Sequence, residues 1–437
     1  MLKSLADWLS YLERLHPSSI DMGLERVARV RDALGQHPAF PIITVTGTNG
    51  KGSVCAFLEA ALIAAGYRVG CYTSPHLLRY NERVRVNGRE ADDVLLCQAF
   101  TAIEAARGET SLTYFEFGTL AAMQVFLQHS VDVAVLEVGL GGRLDAVNVY
   151  DCACAVITSI DLDHAAYLGN TREQVAFEKA GIMRAGRPAV VGETDVPATL
   201  FAVAQQTGAY LLLSGRDYSW ARSDNGWRLK TPDGVLAGLP LPAMRGHYQV
   251  ANAAAAIMAL WSVRDRQPVD ILSLRKGLLE AQVPGRFQVL PGRPVRILDV
   301  GHNPHAVRAL AANLAQLPPG GTHYAVFAML NDKDHLAVIR AIMPYIDQWH
   351  VAGLAGERGM SGQRLAEKLL QAGVGAQAVH VHADVRQAYQ AVSSMAAEND
   401  KITTFGSFHT VAEVLACEPG LAATVPNGDH YATASTF

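Results

Sequence analysis

Thr46-Gly47-Thr48-Asn49-Gly50-Lys51-Gly52-Ser53 joins an apolar β-type run, Pro41 to Val45, to a helix-type run, Val54 to Ala65. Glycines let a backbone curl so that several N–H groups and a helix N-terminus point at one anion, and Lys51 adds a full positive charge. The pattern predicts a phosphate-holding turn whose ligand is a nucleoside triphosphate. A phosphate loop usually reads G-x-x-x-x-G-K-S/T, whereas here Val45 stands at the first glycine and Gly52 follows the lysine. The usual magnesium-binding hydroxyl is therefore missing. Either Ser53 replaces it, or the metal draws its ligands from elsewhere in the chain. A glycine-rich turn by itself fits an empty strand-to-helix connection equally well; the lysine and the flanking strand and helix favour the phosphate.

Outward from the loop, short β-branched runs alternate with longer helical ones from Ile42 to Gly192, the pattern of a parallel sheet covered by helices. The expected strands are Ile42 to Thr46, Tyr67 to Thr73, Val131 to Glu137, Ala153 to Ser159 and Pro188 to Gly192. Gly66 stands where a helix C-terminus wants it. A stretch of polar alternation with Gly and Pro turns, about 210–242, predicts a small antiparallel patch, and Ala251 to Val263 an alanine-rich helix. Pro284-Gly285-Arg286-Phe287 and Pro291-Gly292-Arg293-Pro294 read as a hinge. Beyond it the strands Val295 to Val300, Tyr324 to Met329, Trp349 to Ala352, Val379 to His382 and Ile402 to Phe405 predict a second α/β domain. The fold class is α/β: a phosphate-loop parallel-sheet ATPase domain, 1–288, then a smaller Rossmann-like α/β domain, 289–437. Pro426 to Phe437 read as a loose tail.

With 437 residues, two domains are expected in any case. Half of the residues are hydrophobic, yet no apolar run reaches membrane-spanning length and no export signal is visible. A net charge of −4 gives no general drive toward nucleic acid or an anionic membrane, so anion binding must be local. Six scattered cysteines without a C-x-x-C pair read as buried thiols of a cytoplasmic protein, and Cys152-x-Cys154 as core packing rather than a metal site.

In open parallel sheets ligands gather at the carboxyl ends of strands. Thr73-Ser74-Pro75-His76, Glu137 with Val138-Gly139-Leu140-Gly141-Gly142-Arg143, and Ser159-Ile160-Asp161-Leu162-Asp163-His164 lie at such ends, and Lys179 sits on a helix just beyond. Glu137 at the end of an apolar strand is placed to hold magnesium, and Ser74 could provide the hydroxyl that Gly52 cannot. Taken singly, each has a structural alternative: Glu137 as a helix cap, His164 as a core histidine, Lys179 as a solvated helix face. Their convergence on one sheet edge favours a site.

The segments TGTNGKGS, SPHLLRYNERVRVNG, TYFEFGTLAA, LEVGLGGRLDAVN, SIDLDH, EKAGIMR, PGRF, DVGHNPHA and GSFHTVAEV, in this order, resemble the bacterial folylpolyglutamate synthase family. The likeness is to its bifunctional form, which also acts as dihydrofolate synthase, within the Mur ligase superfamily. It runs from about Leu5 to about Cys417. It implies that Thr48, Asn49, Gly50, Lys51, Gly52 and Ser53 hold the ATP triphosphate, with Asn252, Arg286 and Asp299 as further nucleotide contacts. Two magnesium ions are implied, with Ser74 and Glu137 on the first and His164 on the second; Lys179 corresponds to a carboxylated lysine. A carbamate turns a cation into an anionic oxygen donor, which suits a metal site. Lys51, Glu137, His164 and Lys179 form the implied catalytic set. Thr113, Tyr114, Phe115 and Glu116, with Leu144, Asp145 and Ala146, match pterin-binding segments, and His302 and Ser407 match groups that hold glutamate. The Tyr114-Phe115 pair offers flat apolar surface and Glu116 an acceptor for ring N–H groups. One departure is Gly246-His247-Tyr248-Gln249-Val250-Ala251-Asn252: the superfamily's histidine lies four residues before the asparagine, and here Tyr248 stands there.

The implied activity is folate-related ligation in one-carbon metabolism: dihydropteroate or a reduced folate, L-glutamate and ATP as substrates, with an acyl phosphate between them. Hinge closure between Pro284 and Pro294 is expected to keep water from that intermediate. No nucleic acid or membrane partner is expected, and the chain is read as a monomer. Two other readings stand beside this one: polyglutamylation without the dihydropteroate reaction, and a phosphate-loop ATPase switch that ligates nothing.

Overall fold

The computed structural model describes residues 4–18, 20–223 and 226–418. The tail expected from Pro426 and the side chain of His247 lie outside what it describes. Two compact units are present, one of residues 4–243 with 249–282, the other of 244–248 with the described residues from 283. Among the described residues no helix is long and apolar enough to cross a membrane.

In the first unit the strands are β1 (Ile42–Thr46), β2 (Val69–Tyr72), β3 (Val84–Val86), β4 (Arg89–Glu90), β5 (Val133–Glu137), β6 (Cys154–Ile157), β7 (Pro188–Val191) and β8 (Tyr210–Leu213). They form one sheet in the order β4-β3-β2-β5-β1-β6-β7-β8. From β2 to β8 the pairs are parallel, while β3 and β4 add an antiparallel edge. β1, β2, β5 and β6 are buried at every position, which is why they read as unbroken apolar runs rather than alternating ones. The five expected parallel strands are present, each within two residues of its expected start or end. The hairpin β3-β4, two short runs of mixed polarity at the sheet's margin, was not foreseen, and β8, inside the 210–242 stretch read as antiparallel, instead pairs parallel with β7. β9 (Ser219–Ser223), β10 (Gly226–Thr231) and β11 (Gly234–Leu239) make the antiparallel patch.

The strand order places β1 between β5 and β6, with β2 beyond β5. The chain leaves β1 toward β2 on one side and later crosses to β6 on the other, so the carboxyl end of β1 lies at a change of direction, where such sheets bind ligands.

In the second unit β12 (Gln288–Leu290), β13 (Val295–Asp299), β14 (His323–Phe327), β15 (Gln348–Ala352), β16 (Val379–His382) and β17 (Lys401–Phe405) pair in the order β12-β13-β17-β14-β15-β16. Trp349, Phe327 and Phe405 form its aromatic centre, with Phe327 stacked on Phe405 at 4.7 Å between ring centroids. β12 was missed: it pairs antiparallel with β13, so Pro291-Gly292-Arg293-Pro294 is a hairpin turn inside this unit and not part of a linker. Pro and Gly punctuate hairpins and linkers alike, and sequence alone did not separate the two.

Candidate active site

The loop after β1 is tied to the end of β6. Thr48 N–H donates to Ser159 O at 2.9 Å, and Thr48 Oγ1 donates to Asp161 O at 2.8 Å. Asn49 N–H donates to Ser159 Oγ at 3.0 Å, and Thr158 Oγ1 donates to Asn49 O at 2.6 Å. Gly47, at φ +151°, has no room for a side chain: a Cβ there would lie 1.8 Å from Thr158 Oγ1. Gly50 is left-handed at φ +91° and precedes the helix Lys51–Ala64, and a Cβ there would meet Asn252 Oδ1 at 2.6 Å. The shape of the loop therefore comes from two glycines and from polar partners just after β6 and on the helix that holds Asn252. Lys51 Nζ donates to Gly47 O at 3.0 Å, which holds the ammonium over the loop.

Ser53 is fully buried and accepts from Gln249 Nε2 at 3.2 Å, while Gln249 Oε1 accepts from Asn252 Nδ2 at 3.1 Å. Its oxygen thus faces an amide relay that fastens the loop helix. Gly52 instead faces the carboxylate at the end of β5: a Cβ at Gly52 would stand 3.9 Å from both oxygens of Glu137. Glu137 is buried, and its Oε2 accepts from Ser74 N–H at 3.1 Å. The strand ends of β2 and β5 meet beside the loop, so Lys51, Gly52, Ser74 and Glu137 share one place.

Lys179, on the helix Arg172–Ala180, is buried, and its amine is lowered to about 7 by burial first and then by the charge of Lys51, against the pull of Asp163 and Asp145. Asp145 is raised to about 7 by burial, against two loop N–H donors, Leu140 at 2.8 Å and Val147 at 3.0 Å. It shapes the glycine loop after β5 and caps the short turn Ala146–Val149, behind half-buried Leu144. His164 has φ +50°, and its main-chain N–H donates to Asp163 Oδ1 at 2.8 Å. Asp163, inside a quoted motif but not singled out, belongs to this charged set.

Among the described residues no group of three or more His, Cys, Asp or Glu could hold a metal ion alone. A lone buried carboxylate beside a serine and a triphosphate loop fits magnesium, which keeps waters and takes substrate phosphates as ligands.

Thr113 caps the helix Tyr114–Gln128. Glu116 closes that cap, its Oε2 accepting from Thr113 N–H at 2.7 Å, and its other oxygen lies 3.2 Å from Arg26. Oε2 is thus committed to the helix cap, while Oε1 is buried and makes an ion pair with Arg26 but no hydrogen bond, which leaves it an acceptor for a ligand N–H. Tyr114 stands edge-on to Tyr80, and Arg83 lies 5.4 Å over both rings. Arg83 Nε donates to His76 Nδ1 at 2.8 Å. Phe115 lies 5.8 Å from Tyr72 and covers Gly139, where a Cβ would be 2.6 Å from the ring. Tyr80, Arg83 and His76 thus join the aromatic wall that sequence reading assigned to Tyr114 and Phe115 alone; the motif that contains them was their only trace.

In the second unit Asp299 ends β13. It accepts from Phe287 N–H at 2.9 Å and Gly301 N–H at 2.8 Å, and burial raises it above the usual carboxylate range, against the opposing charge of Arg286. Arg286 lies 5.1 Å over Phe408, and His302 lies 6.1 Å from the same ring. His302 Nδ1 bonds Val300 O at 2.9 Å, which sets that nitrogen as the donor. Ser407 caps the helix Phe408–Leu415 and accepts from Thr410 N–H at 3.0 Å. Arg286, Asp299, His302 and Ser407 gather at the carboxyl ends of the neighbouring parallel strands β13 and β17.

Residues 45–260 match the Mur ligase middle domain, and residues 285–408 the Mur ligase glutamate ligase domain. The dihydrofolate synthase/folylpolyglutamate synthase of Escherichia coli strain K12 is 46% identical over 412 residues, covering 94% of each chain. The structure of E. coli FolC in complex with DHPP and ADP superposes with a TM-score of 0.90 at 45% identity, over 95% of this chain and 97% of that one. A bifunctional folylpolyglutamate synthase/dihydrofolate synthase with Mn, AMPPNP and L-glutamate bound gives a TM-score of 0.88 at 46% identity, over 95% of this chain and 98% of that one. The chain belongs to the dihydrofolate synthase/folylpolyglutamate synthase family.

Proposed function

We propose that the chain is an ATP-dependent acid–amino-acid ligase that adds L-glutamate to dihydropteroate, giving dihydrofolate, and to folates, giving polyglutamates. The observation that carries this reading is the buried set around the loop, Lys51 above it, Glu137 beside Gly52 and Lys179 within reach of the Lys51 charge, in a chain 46% identical to a bifunctional enzyme.

A carboxylate is a poor electrophile, so amide formation in water needs activation. The substrate carboxylate attacks the γ-phosphate of ATP, and Lys51 together with the loop N–H groups offsets the charge that develops on the phosphoryl oxygens. ADP leaves and an acyl phosphate remains. Magnesium bound by Ser74 and Glu137, with a second ion at His164, supplies charge neutralisation and alignment of the phosphates. Carbon dioxide adds to the neutral Lys179 amine and a proton leaves, which sets an anionic oxygen donor within reach of the Lys51 charge. The segments Thr113 to Glu116 and Leu144 to Ala146 hold the pterin: Tyr114 and Phe115 offer flat apolar surface, Glu116 accepts from ring N–H groups, and Thr113 and Asp145 also cap the turns of these segments. Asn252, Arg286 and Asp299 hold the nucleotide. The amine of glutamate, held by His302 and Ser407, attacks the acyl carbon, and phosphate leaves from the tetrahedral intermediate. The free thiols among the described residues fit a reducing cytoplasm, and a monomer suffices for all these roles.

Purified protein is assayed with dihydropteroate and with a reduced folate, each with ATP and glutamate. Product from both is expected; product from the folate alone would leave a polyglutamylating enzyme, and ADP release indifferent to glutamate would leave an ATPase switch. Lys51→Ala is expected to cut turnover by about a thousandfold or more, and near-normal ligation in that variant would sink the assignment.

A further inference from the structure

At the amino-terminal ends of β1 and β6, the opposite edge of the sheet from the phosphate loop, lies a hollow of about 390 Å³. That is within the size range of small-molecule sites. Phe40 and Pro41 give it an apolar side, and Arg184, Arg187 and Arg266 bring guanidinium groups from separate chain segments. Arg184 is already held: it pairs with Asp151, and its NH2 donates to Asn148 O and Oδ1, both at 2.9 Å. Asp151 thereby balances one of the three positive charges. The guanidinium groups of Arg187 and Arg266 have no hydrogen-bond or ion-pair partner among the described residues, whose contacts with both residues are main-chain ones, so the hollow carries two uncompensated positive charges in a chain of net charge −4. Guanidinium groups bind phosphate and carboxylate in bidentate fashion.

We propose that this hollow is a second anion site, separate from the phosphate loop, which takes a small molecule with two negatively charged groups, phosphate or carboxylate. Nothing in the ligation chemistry above uses these arginines, so the site stands or falls independently of that reading. The test is calorimetric titration of the full chain with the loop saturated by a non-hydrolysable ATP analogue and magnesium in excess. Inorganic pyrophosphate and succinate are the probes. Saturable binding of at least one is expected, weakened by added salt; pyrophosphate alone identifies a phosphate ligand, succinate alone a dicarboxylate, and both a site that reads charge. In Arg187→Ala/Arg266→Ala the affinity should fall at least about tenfold while KM for ATP and the melting temperature stay put, since both side chains are exposed. Absence of binding by both probes, or equal binding by the double variant, overturns the proposal.

Discussion

Single residues in this site trade stability for chemistry. Lys179 is a buried amine beside a second cation, a costly arrangement for a folded chain. Lys179→Met replaces it with an apolar side chain of similar length. In carbon dioxide-free buffer near pH 7 the variant should melt at or above the wild-type temperature, while with bicarbonate present its turnover should lie about a hundredfold or more below wild type, as for residues that hold catalytic ions. A clear drop in melting temperature would show that the lysine serves the fold instead. Gln249 makes the complementary case. It is fully buried and spans Ser53 and Asn252, so Gln249→Ala strands buried Ser53 and half-buried Asn252. KM for ATP should rise about tenfold with a smaller change in kcat, because the loop is displaced while the reacting groups stay. Gln249→Glu, which keeps the acceptor for Asn252, should recover part of that loss; kcat falling alone would point to a different role.

At the scale of elements, the helix that begins at the phosphate loop is positioned by its neighbour Ile271–Glu280. A Cβ on Gly277 would stand 2.7 Å from the Cα and N of Ala61, so only glycine permits this approach. Gly277→Ala must push the two helices apart at a cost of about 1–3 kcal/mol, and the shift is transmitted along Lys51–Ala64. A lowered melting temperature with a raised KM for ATP is the expected pair of effects, and an unchanged melting temperature would refute the packing argument. Contacts of this kind explain what sequence could and could not disclose. Lys51, Ser74, Glu137 and Lys179 were legible because each stands in a motif whose spacing is fixed by strand and loop geometry. Thr158 and Gly277 act through partners about 100 or more positions away, which no local pattern encodes; Gln249 and Ser159 stand inside quoted motifs, but their bonds to Ser53 and Asn49 span similar separations. The parallel strands were legible from their unbroken apolar runs. β3, β4 and β12, two or three residues long, were not, since so short a strand carries no such run, and β8 lay in a stretch read as antiparallel.

At the scale of the whole molecule, the two units differ in what acid does to them, and the second is the vulnerable one. His323 opens β14 in a buried position, its Nε2 2.7 Å from Thr403 Oγ1, and burial followed by the charge of Lys401 lowers it from 6.5 to about 4. His350 is lowered to about 4 by burial and by its stacked neighbours His380 and His382. His350 Nδ1 also lies 2.9 Å from His382 Nε2, a hydrogen bond that two protonated rings cannot make. A depressed histidine is neutral when folded and charged when unfolded over the interval between its two values. The unfolded chain then binds more protons, so the stabilisation is complete above about pH 6.5 and is lost as pH falls toward about 4. For His323 a drop from 6.5 to about 4 corresponds to roughly 3 kcal/mol at 1.36 kcal/mol per unit. Urea unfolding followed at pH 7.5 and pH 5 should show the second unit losing stability in acid, reported by the buried Trp349 in a variant whose other tryptophans are replaced by phenylalanine. His323→Gln on the same background should be less stable at pH 7.5 yet show a shallower dependence on pH, because the group that titrates has gone. Equal slopes in variant and parent would mean that the acid sensitivity arises elsewhere.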